Sequence, residues 1–412
     1  MFAMPGRGKR LSSGKIVIIS EFVDPAQNST GYYWSKVITE FSKRAECVCV
    51  ICPASSHNKV DHAFSNVEYI YFDIAEFNKN NLAQRVFGQM MLSLRFTRAI
   101  VANVNVGDRV FSGTNPALLL FFLSKVKPFL RFNWTLLVHD VFPENLVAAG
   151  IVKKLGPIYQ FVKYIFDDAY AKADTLIAIG RDMQVKLMEK TRHKCQVVYI
   201  PNWADPSDVT VQRRDVAGLL TGHELDHKLV FQLFGNLGRL QGVDKLLDAI
   251  SQVKSDRAAF VFIGDGAATG LIHEYIRNHP ARSVFHIGQM PFSSNNVGLS
   301  ACDVAIVCLA NGMNGLGVPS KAYFSMAADK PLLVITDEGS ELHTTIMEEP
   351  SIGWFCPTGN PQALAGLIDE ICSLDLSNWA GRPRNVMLRK YSRALAVDHY
   401  FEIVQIPAMP DR

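Results

Sequence analysis

The stretch Leu229-Val-Phe-Gln-Leu-Phe-Gly-Asn-Leu-Gly-Arg-Leu-Gln-Gly242 joins an apolar run of strand length to a glycine-rich turn, and Leu246, Leu247, Ile250 and Val253 follow at helical spacing. Strand, glycine loop and helix in that order open a βαβ unit of a parallel sheet. Glycines let the backbone turn sharply and come close to a diphosphate, and the helix behind them offers unpaired N–H groups and the positive end of its dipole. Gly235 and Gly238 are therefore candidate phosphate-loop residues, and Arg239 can add a fork of donors. An ordinary connection with a surface arginine is the plainer reading of the same residues.

The same alternation runs outward in both directions. Lys15-Ile-Val-Ile-Ile-Ser20 is an unbroken apolar run suited to a sheet covered on both faces; Trp34, Val37, Ile38 and Phe41 then mark a helix, and Val48 to Cys52 a second strand. Thr135 to His139, Thr175 to Ile179 and Val197 to Ile200 read as strands, and Ile158, Phe161, Val162, Ile165, Phe166 and Ala169 as the apolar face of a long amphipathic helix. Residues 201–228 are mostly polar and carry no sustained apolar face. Beyond Leu229, strands are expected at Ala259 to Ile263, Ser283 to Ile287, Asp303 to Cys308 and Pro331 to Ile335. The expected organisation is α/β: a flexible basic segment 1–14, one Rossmann-like domain at 15–202, a connection at 203–228, and a second such domain at 229–385.

Composition agrees with two domains. The chain has 412 residues, more than one core usually serves. Its 42 Lys+Arg against 39 Asp+Glu leave a formal charge of only +3, which excludes the basic excess of a phosphate-tracking nucleic-acid binder, and 48% hydrophobic residues exclude a disordered chain. No apolar signal core follows the basic start, and the longest apolar run, Ala117 to Leu123, is far short of the ~18 residues a membrane span needs. Eight cysteines over this length make no disulfide framework, and Cys47, Cys49 and Cys52 lack a fourth converging partner for zinc. A cytoplasmic location is expected.

Three further features carry possible chemistry. His139-Asp-Val-Phe-Pro-Glu144 sits where a buried strand opens into a loop, the place where ligands bind open α/β sheets. His139 can donate to a leaving group or hold a sugar hydroxyl, with Asp140 orienting it; a histidine satisfied by local backbone is the bland alternative. Gly264-Asp265-Gly266 is a second strand-end glycine pair, but Gly264, Gly266 and Gly270 miss the dinucleotide spacing by one residue. Ala117 to Arg131 joins an apolar block to Lys125, Lys127 and Arg131, so it reads either as a membrane-surface segment or as a core helix with a charged end.

Taken together, these pieces resemble the retaining glycosyltransferases of family four, which have the GT-B fold, two Rossmann-like domains facing a central cleft. The resemblance runs from Lys15 to Val404 and looks closest to the bacterial branch that builds O-antigen, capsule and exopolysaccharide units, including N-acetylfucosamine transferases. Gly31 lies in the first loop; His139-Asp-Val-Phe-Pro-Glu144, Ala173-Asp-Thr-Leu-Ile-Ala-Ile and Ile200-Pro-Asn202-Trp match family segments in order. Gly235-Asn-Leu-Gly-Arg-Leu-Gln-Gly resembles the diphosphate loop, Gly264-Asp-Gly and His286-Ile-Gly-Gln-Met the loops flanking the donor base, and Val318-Pro-Ser-Lys-Ala-Tyr-Phe-Ser-Met-Ala-Ala-Asp-Lys-Pro331 the donor helix. In the family a terminal helix, here 386–412, returns to the first domain.

The resemblance implies a donor site made of Gly31, Gly235, Asn236, Gly238, Gln241, Gly264, Asp265, Gly266, Gly288, Gln289, Met290, Pro319, Ser320 and Phe324. It implies catalytic roles for His139, Asp140, Arg239 and Lys321, and acceptor-side roles for Glu144 and Asn202. It further implies a nucleotide-sugar donor, UDP-linked, with no metal or other cofactor, since no Asp-x-Asp donor motif is present. The implied acceptor is a polyprenyl-diphosphate-linked saccharide at the inner face of the plasma membrane. Two departures stand out. Leu316 and Phe324 occupy the positions of the family's paired glutamates, so a non-catalytic GT-B subunit supporting an active transferase is the alternative reading. Asp329 replaces a glycine, so its backbone is expected to avoid positive φ.

Overall fold

The computed structural model describes residues 14–54, 64–74, 82–152, 154, 156–214, 218–222, 225 and 227–406. Nearly all of the basic first segment, and parts of the connection between domains, lie outside the described residues.

Short, fully apolar runs have no polar face to offer water, so they become strands covered on both sides. β1 (Ile16–Ile19), β2 (Val48–Ala54), β3 (Val67–Asp73), β4 (Arg109–Gly113), β5 (Asn133–Val138), β6 (Thr175–Ala178) and β7 (Gln196–Tyr199) form one sheet in the order β3-β2-β1-β4-β5-β6-β7. A second sheet has β8 (Leu229–Phe234), β9 (Ala258–Ile263), β10 (Val284–Ile287), β11 (Val304–Cys308), β12 (Leu332–Thr336) and β13 (Gly353–Pro357) in the order β10-β9-β8-β11-β12-β13. Every pairing is parallel, as in Ile16 with Val48 and with Arg109, or Leu229 with Ala258. In each sheet the strand order reverses beside its first strand, β1 or β8. Loops at the C-terminal ends there form the crevice where ligands bind.

The expected strands are present, each within a residue or two, but β3, β4 and β13 have no counterpart in the sequence reading. β3 and β13 are the edges of their sheets, and their residues are only partly buried. A half-solvated edge keeps too weak an apolar signal to be read alone. Ala117 to Arg131 has the buried face that a core helix requires. The helix Ala117–Leu130 buries Leu119, Leu120 and Leu123, and Lys125 and Lys127 pair with Asp168 and Asp174 at 3.4 and 2.8 Å.

The helix Pro157–Tyr170 corrects an expectation about its face. Tyr159, Phe166, Ala169 and Tyr170 are buried, whereas Ile158 and Phe161 are 75% and 66% exposed. More apolar residues stand on this helix than the core can accept, so the sequence does not say which of them go inside. Near the other end, the helix Arg382–Lys390 packs on Lys321–Ala327 of the second domain. The chain then crosses at Ser392, which bridges to Ala204, and the helix Arg393–Gln405 lies against the first domain, with Arg393 on Glu40 at 3.0 Å.

Asp329 also overturns its expectation, because it adopts a left-handed φ of 61°. Aspartate tolerates this region better than most residues. Here its carboxylate accepts from the backbone N–H of Gly381 at 2.6 Å and of Arg384 at 3.2 Å, holding the start of the Arg382–Lys390 helix. Two charge-assisted bonds offset the backbone cost that glycine avoids. Asp329→Gly should therefore lower stability, because the strain it relieves is smaller than the two bonds it loses. Asp329→Ala should lower it further, by about 2–3 kcal/mol, since it keeps the strain as well. Urea midpoints in the order Asp above Gly above Ala check this; Gly at or above Asp would show that the carboxylate contributes nothing.

Candidate active site between the two sheets

The loop after β5 begins the site. His139 and Asp140 are half-buried at its mouth, and both backbone N–H groups approach the Thr114 hydroxyl at 3.4 Å. Asp140 pairs antiparallel with Gly317 of the second domain, and Val141 N–H donates to Leu316 O at 3.0 Å. The Tyr170 hydroxyl donates to Asp140 O at 3.2 Å from behind. The main chain is thus fixed on every side while both side chains are left free. Among the described residues, no side chain or backbone group bonds to the His139 ring or to the Asp140 carboxylate. Burial alone pushes His139 down to about 4 and Asp140 up to about 6. At neutral pH the imidazole is uncharged and the carboxylate is ionised at a cost.

These two residues line a cavity of about 210 Å³ between the domains, together with Asn202, Gln241, Pro319 and Ser320 of the expected set. Ser29, Thr30, Tyr33 and Met313 also line it and were missed by the sequence reading. Ser29 and Thr30 open the helix Ser29–Ser42 just before Gly31. That glycine does not itself line the cavity. A side chain on it would meet the Asp24 carbonyl at 2.1 Å, and its N–H is taken by the Asn28 cap at 2.9 Å. Gly31 therefore lets the loop close, and its two neighbours face the space.

Lys321 heads the helix Lys321–Ala327, and its ammonium donates to Gln241 Oε1 at 2.5 Å. Burial pushes its pKa down, and no carboxylate pairs with it among the described residues. Arg239 is exposed at the start of the short 3-10 turn Arg239–Gln241 and pairs with no carboxylate among the described residues. Two cations thus flank the glycine loop without counter-ions.

The glycines of that loop serve two purposes. Gly235 needs its φ of 115°. Gly264 is needed for proximity, because a side chain there would lie 2.0 Å from Gly235 O. Gly266 packs in the same way on Leu237, whose N–H donates to Asp265 O at 3.1 Å. The next loop is tied on in turn. Gln289 N–H donates to the Asp265 carboxylate at 3.0 Å, and Gly264 N–H to Gly288 O at 3.2 Å; Met290 packs on the core. Asn236 is exposed beside Gly238. The ends of β8, β9 and β10 therefore form one continuous shelf.

Three expected residues are placed differently from a free cleft position. The Glu144 carboxylate is held by Lys190 at 2.9 Å and Lys163 at 3.1 Å, in a network that also includes Asp167, and it does not line the cavity. Asn202 lines it, but its amide donates to Val318 O at 3.1 Å and pins the segment before Pro319. Phe324 is 7% exposed, its ring 5.3 Å from Tyr32 and 6.0 Å from Tyr33 of the first domain. It lines a neighbouring cavity of about 610 Å³.

The sequence of the Pseudomonas aeruginosa protein named probable glycosyltransferase WbjE is 43% identical to this one over 95% of this chain and 98% of that protein. Residues 222–393 match the family model described as glycosyl transferases group 1. The chain belongs to this family. WcaI of Escherichia coli (strain K12), whose name assigns it to colanic acid biosynthesis as a glycosyl transferase, is 21% identical over 60% of this chain and 61% of its own. Among solved structures, Anabaena Alr3699/HepE in complex with UDP superposes with a TM-score of 0.68 at 15% identity, over 95% of this chain and 99% of that one. The two parallel sheets facing one cleft are thus the GT-B architecture of a group 1 glycosyl transferase.

The electrostatics of this transferase cleft give a test by pH. Asp140 has a folded pKa raised to about 6 from an ordinary 3.8, so the folded state binds more protons between those values, and stability is lost as pH rises through that window. Asp140→Asn should therefore raise stability by about 1–3 kcal/mol near pH 7.5 and leave it unchanged near pH 4. Urea unfolding of both proteins at the two pH values checks this. An equal difference at both would mean that the carboxylate is not desolvated.

Proposed function

We propose that this group 1 glycosyl transferase moves a sugar from a UDP-linked donor to a saccharide carried on polyprenyl diphosphate, in polysaccharide biosynthesis at the inner face of the plasma membrane, with retention of configuration. The names of the relatives support the polysaccharide assignment, and the UDP complex of a similar fold supports the donor. The observation that carries the reading is Lys321. It is a desolvated ammonium with a single neutral hydrogen-bond partner, at a helix start beside a glycine loop, and an anion is what such a group lacks.

The chemistry follows from the placement. Lys321, Arg239 and the loop at Gly235 and Gly238 hold the donor diphosphate and neutralise it as a leaving group. The bond from the anomeric carbon to the phosphate oxygen breaks, and the acceptor hydroxyl oxygen attacks from the same face. Its proton passes to the departing phosphate oxygen, so no protein nucleophile is consumed. The neutral His139 ring, with both nitrogens unclaimed by the described residues, binds a hydroxyl of the transferred sugar. The Asp140 carboxylate stands beside it to counter the positive charge that develops at the anomeric carbon. One observation favours the alternative of a non-catalytic subunit: Phe324 fills its position with an aromatic contact to the first domain where a carboxylate is the family pattern.

Calorimetric titration with UDP, GDP and ADP separates the two. Selective binding of UDP, weakened about 30- to 100-fold by Lys321→Ala, is the expected result. Binding of another nucleotide would replace the base in this reading. No binding of any of them would favour the supporting subunit.

A further inference from the structure

The helix Pro157–Tyr170 leaves a strip of apolar side chains that no described residue covers. Ile158 is 75% exposed, Phe161 66% and Tyr164 67%; Ile151, just upstream, is 48% exposed. Residues spaced by three fall on one side of a helix, so Ile158, Phe161 and Tyr164 form a line opposite the buried Tyr159, Phe166 and Tyr170. Scattered exposed apolar residues are ordinary, but three large ones in line on one helix face, with a fourth shortly upstream in the chain, mark a contact surface.

Position and charge say what kind. The strip follows directly on the loop of His139 and Asp140: the helix Glu144–Ala148 comes next, and Ile151 N–H is bonded back to Leu146 O at 2.9 Å. The start of the Pro157–Tyr170 helix therefore stands at the rim of the cleft, where the strands of the first sheet end. From Asn145 to Phe166 the sequence holds no Asp or Glu, and Lys154 is exposed beside the strip. The acids at either end are already neutralised, Glu144 and Asp167 by Lys163 and Lys190, and Asp168 by Lys125. Among the described residues from Glu144 to Asp168, no carboxylate is left without a lysine partner. An apolar line with an aromatic hydroxyl at its edge and a lysine beside it suits a headgroup layer, where the rings reach the acyl boundary and the ammonium meets lipid phosphate.

We propose that the line of Ile158, Phe161 and Tyr164, with Ile151 upstream of it, rests on an anionic lipid bilayer and holds the mouth of the cleft against it. This locates the membrane contact of the proposed function, and rests on that reading for its purpose only.

Cosedimentation of the full chain with vesicles of phosphatidylcholine mixed with phosphatidylglycerol, and of phosphatidylcholine alone, tests this. Wild type should bind the anionic vesicles, and Ile158→Ser with Phe161→Ser should lower that affinity at least ~10-fold. Lys154→Glu should lower it by a smaller factor. Phe129→Ser, at an aromatic 84% exposed on the helix Ala117–Leu130, should leave it unchanged. Titration with UDP runs in parallel and should be the same for wild type and the double variant, which separates loss of docking from loss of the donor site or of folding. Failure of wild type to bind vesicles overturns the proposal. So does equal binding by the double variant, or a wild-type dimer that the double variant turns into a monomer.

Discussion

Glu341 ties the two domains together beneath the cleft, because the first domain both covers its carboxylate and supplies most of its donors. Its carboxylate is 1% exposed in the second domain, and its partners come mostly from across the gap: Arg181 N–H at 2.7 Å, Arg181 Nε at 3.0 Å and Nη2 at 2.9 Å, and the Tyr199 hydroxyl at 2.7 Å. Opening this contact would give up four charge-assisted hydrogen bonds to the carboxylate, offset only in part by its hydration. The same junction receives the segment Gly315–Val318 through one antiparallel bridge, Asp140 with Gly317, and flanking hydrogen bonds. Asp182 accepts from Gly315 N–H at 2.8 Å, Leu316 O accepts from Val141, and Val318 O from Asn202. That segment leads straight into Pro319, Ser320 and Lys321. The clamp at Glu341 and the placement of the lysine ammonium are therefore consequences of one interdomain fit.

Within that fit two charges are left unsatisfied, and of opposite sign. Among the described residues Lys321 has no anion beside it and Asp140 no donor, yet the two do not neutralise each other. A core selected for stability alone would pair them or replace them with apolar groups. Keeping both desolvated and separate is costly, and such costs gather at sites where charge develops during a reaction. The contrast with the Lys190 network is instructive, because it lies in the same domain and every charge there is matched at 2.5 to 3.1 Å. Matched charges hold the loop after β5 in place; unmatched ones face the cavity.

How much of this was readable from the chain alone depends on the kind of signal. Central strands such as Ile16–Ile19 and Ala258–Ile263 are buried at every position, so their composition announces them. The edges β3 and β13 carry alternating or mixed burial and stay silent. Glycine-rich loops were legible as turns, but not the reason for each glycine: Gly264 yields to the Gly235 carbonyl, a contact between different strand ends. Of the residues that line the cavity, His139 and Asp140 were legible because their loop follows a buried strand, whereas Gln241, Pro319 and Ser320 were expected from the family resemblance. Ser29, Thr30 and Tyr33 were missed because a serine, a threonine and a tyrosine at a helix start look like caps and core. The ion pairs of Glu144 were not legible, because Lys163 and Lys190 are distant in sequence and no local pattern reveals them.

The two departures in the donor helix make the same point more sharply. Read in isolation, an aspartate in place of glycine is a strain and a phenylalanine in place of glutamate is a loss. In the folded chain Asp329 is matched by Gly381 and Arg384, while Phe324 is matched by Tyr32 and Tyr33, which give the domains an aromatic contact worth about 1 kcal/mol beyond its buried area. Neither residue has a neighbour in sequence that explains it. Restoring glutamate at position 324 alone would push a carboxylate against two tyrosine rings in a pocket that is 7% exposed, so it would disturb the domain contact before it could serve any ligand. A substitution at an interface between domains is a property of both surfaces, and the meaning of Phe324 lies in the helix Ser29–Ser42 as much as in its own.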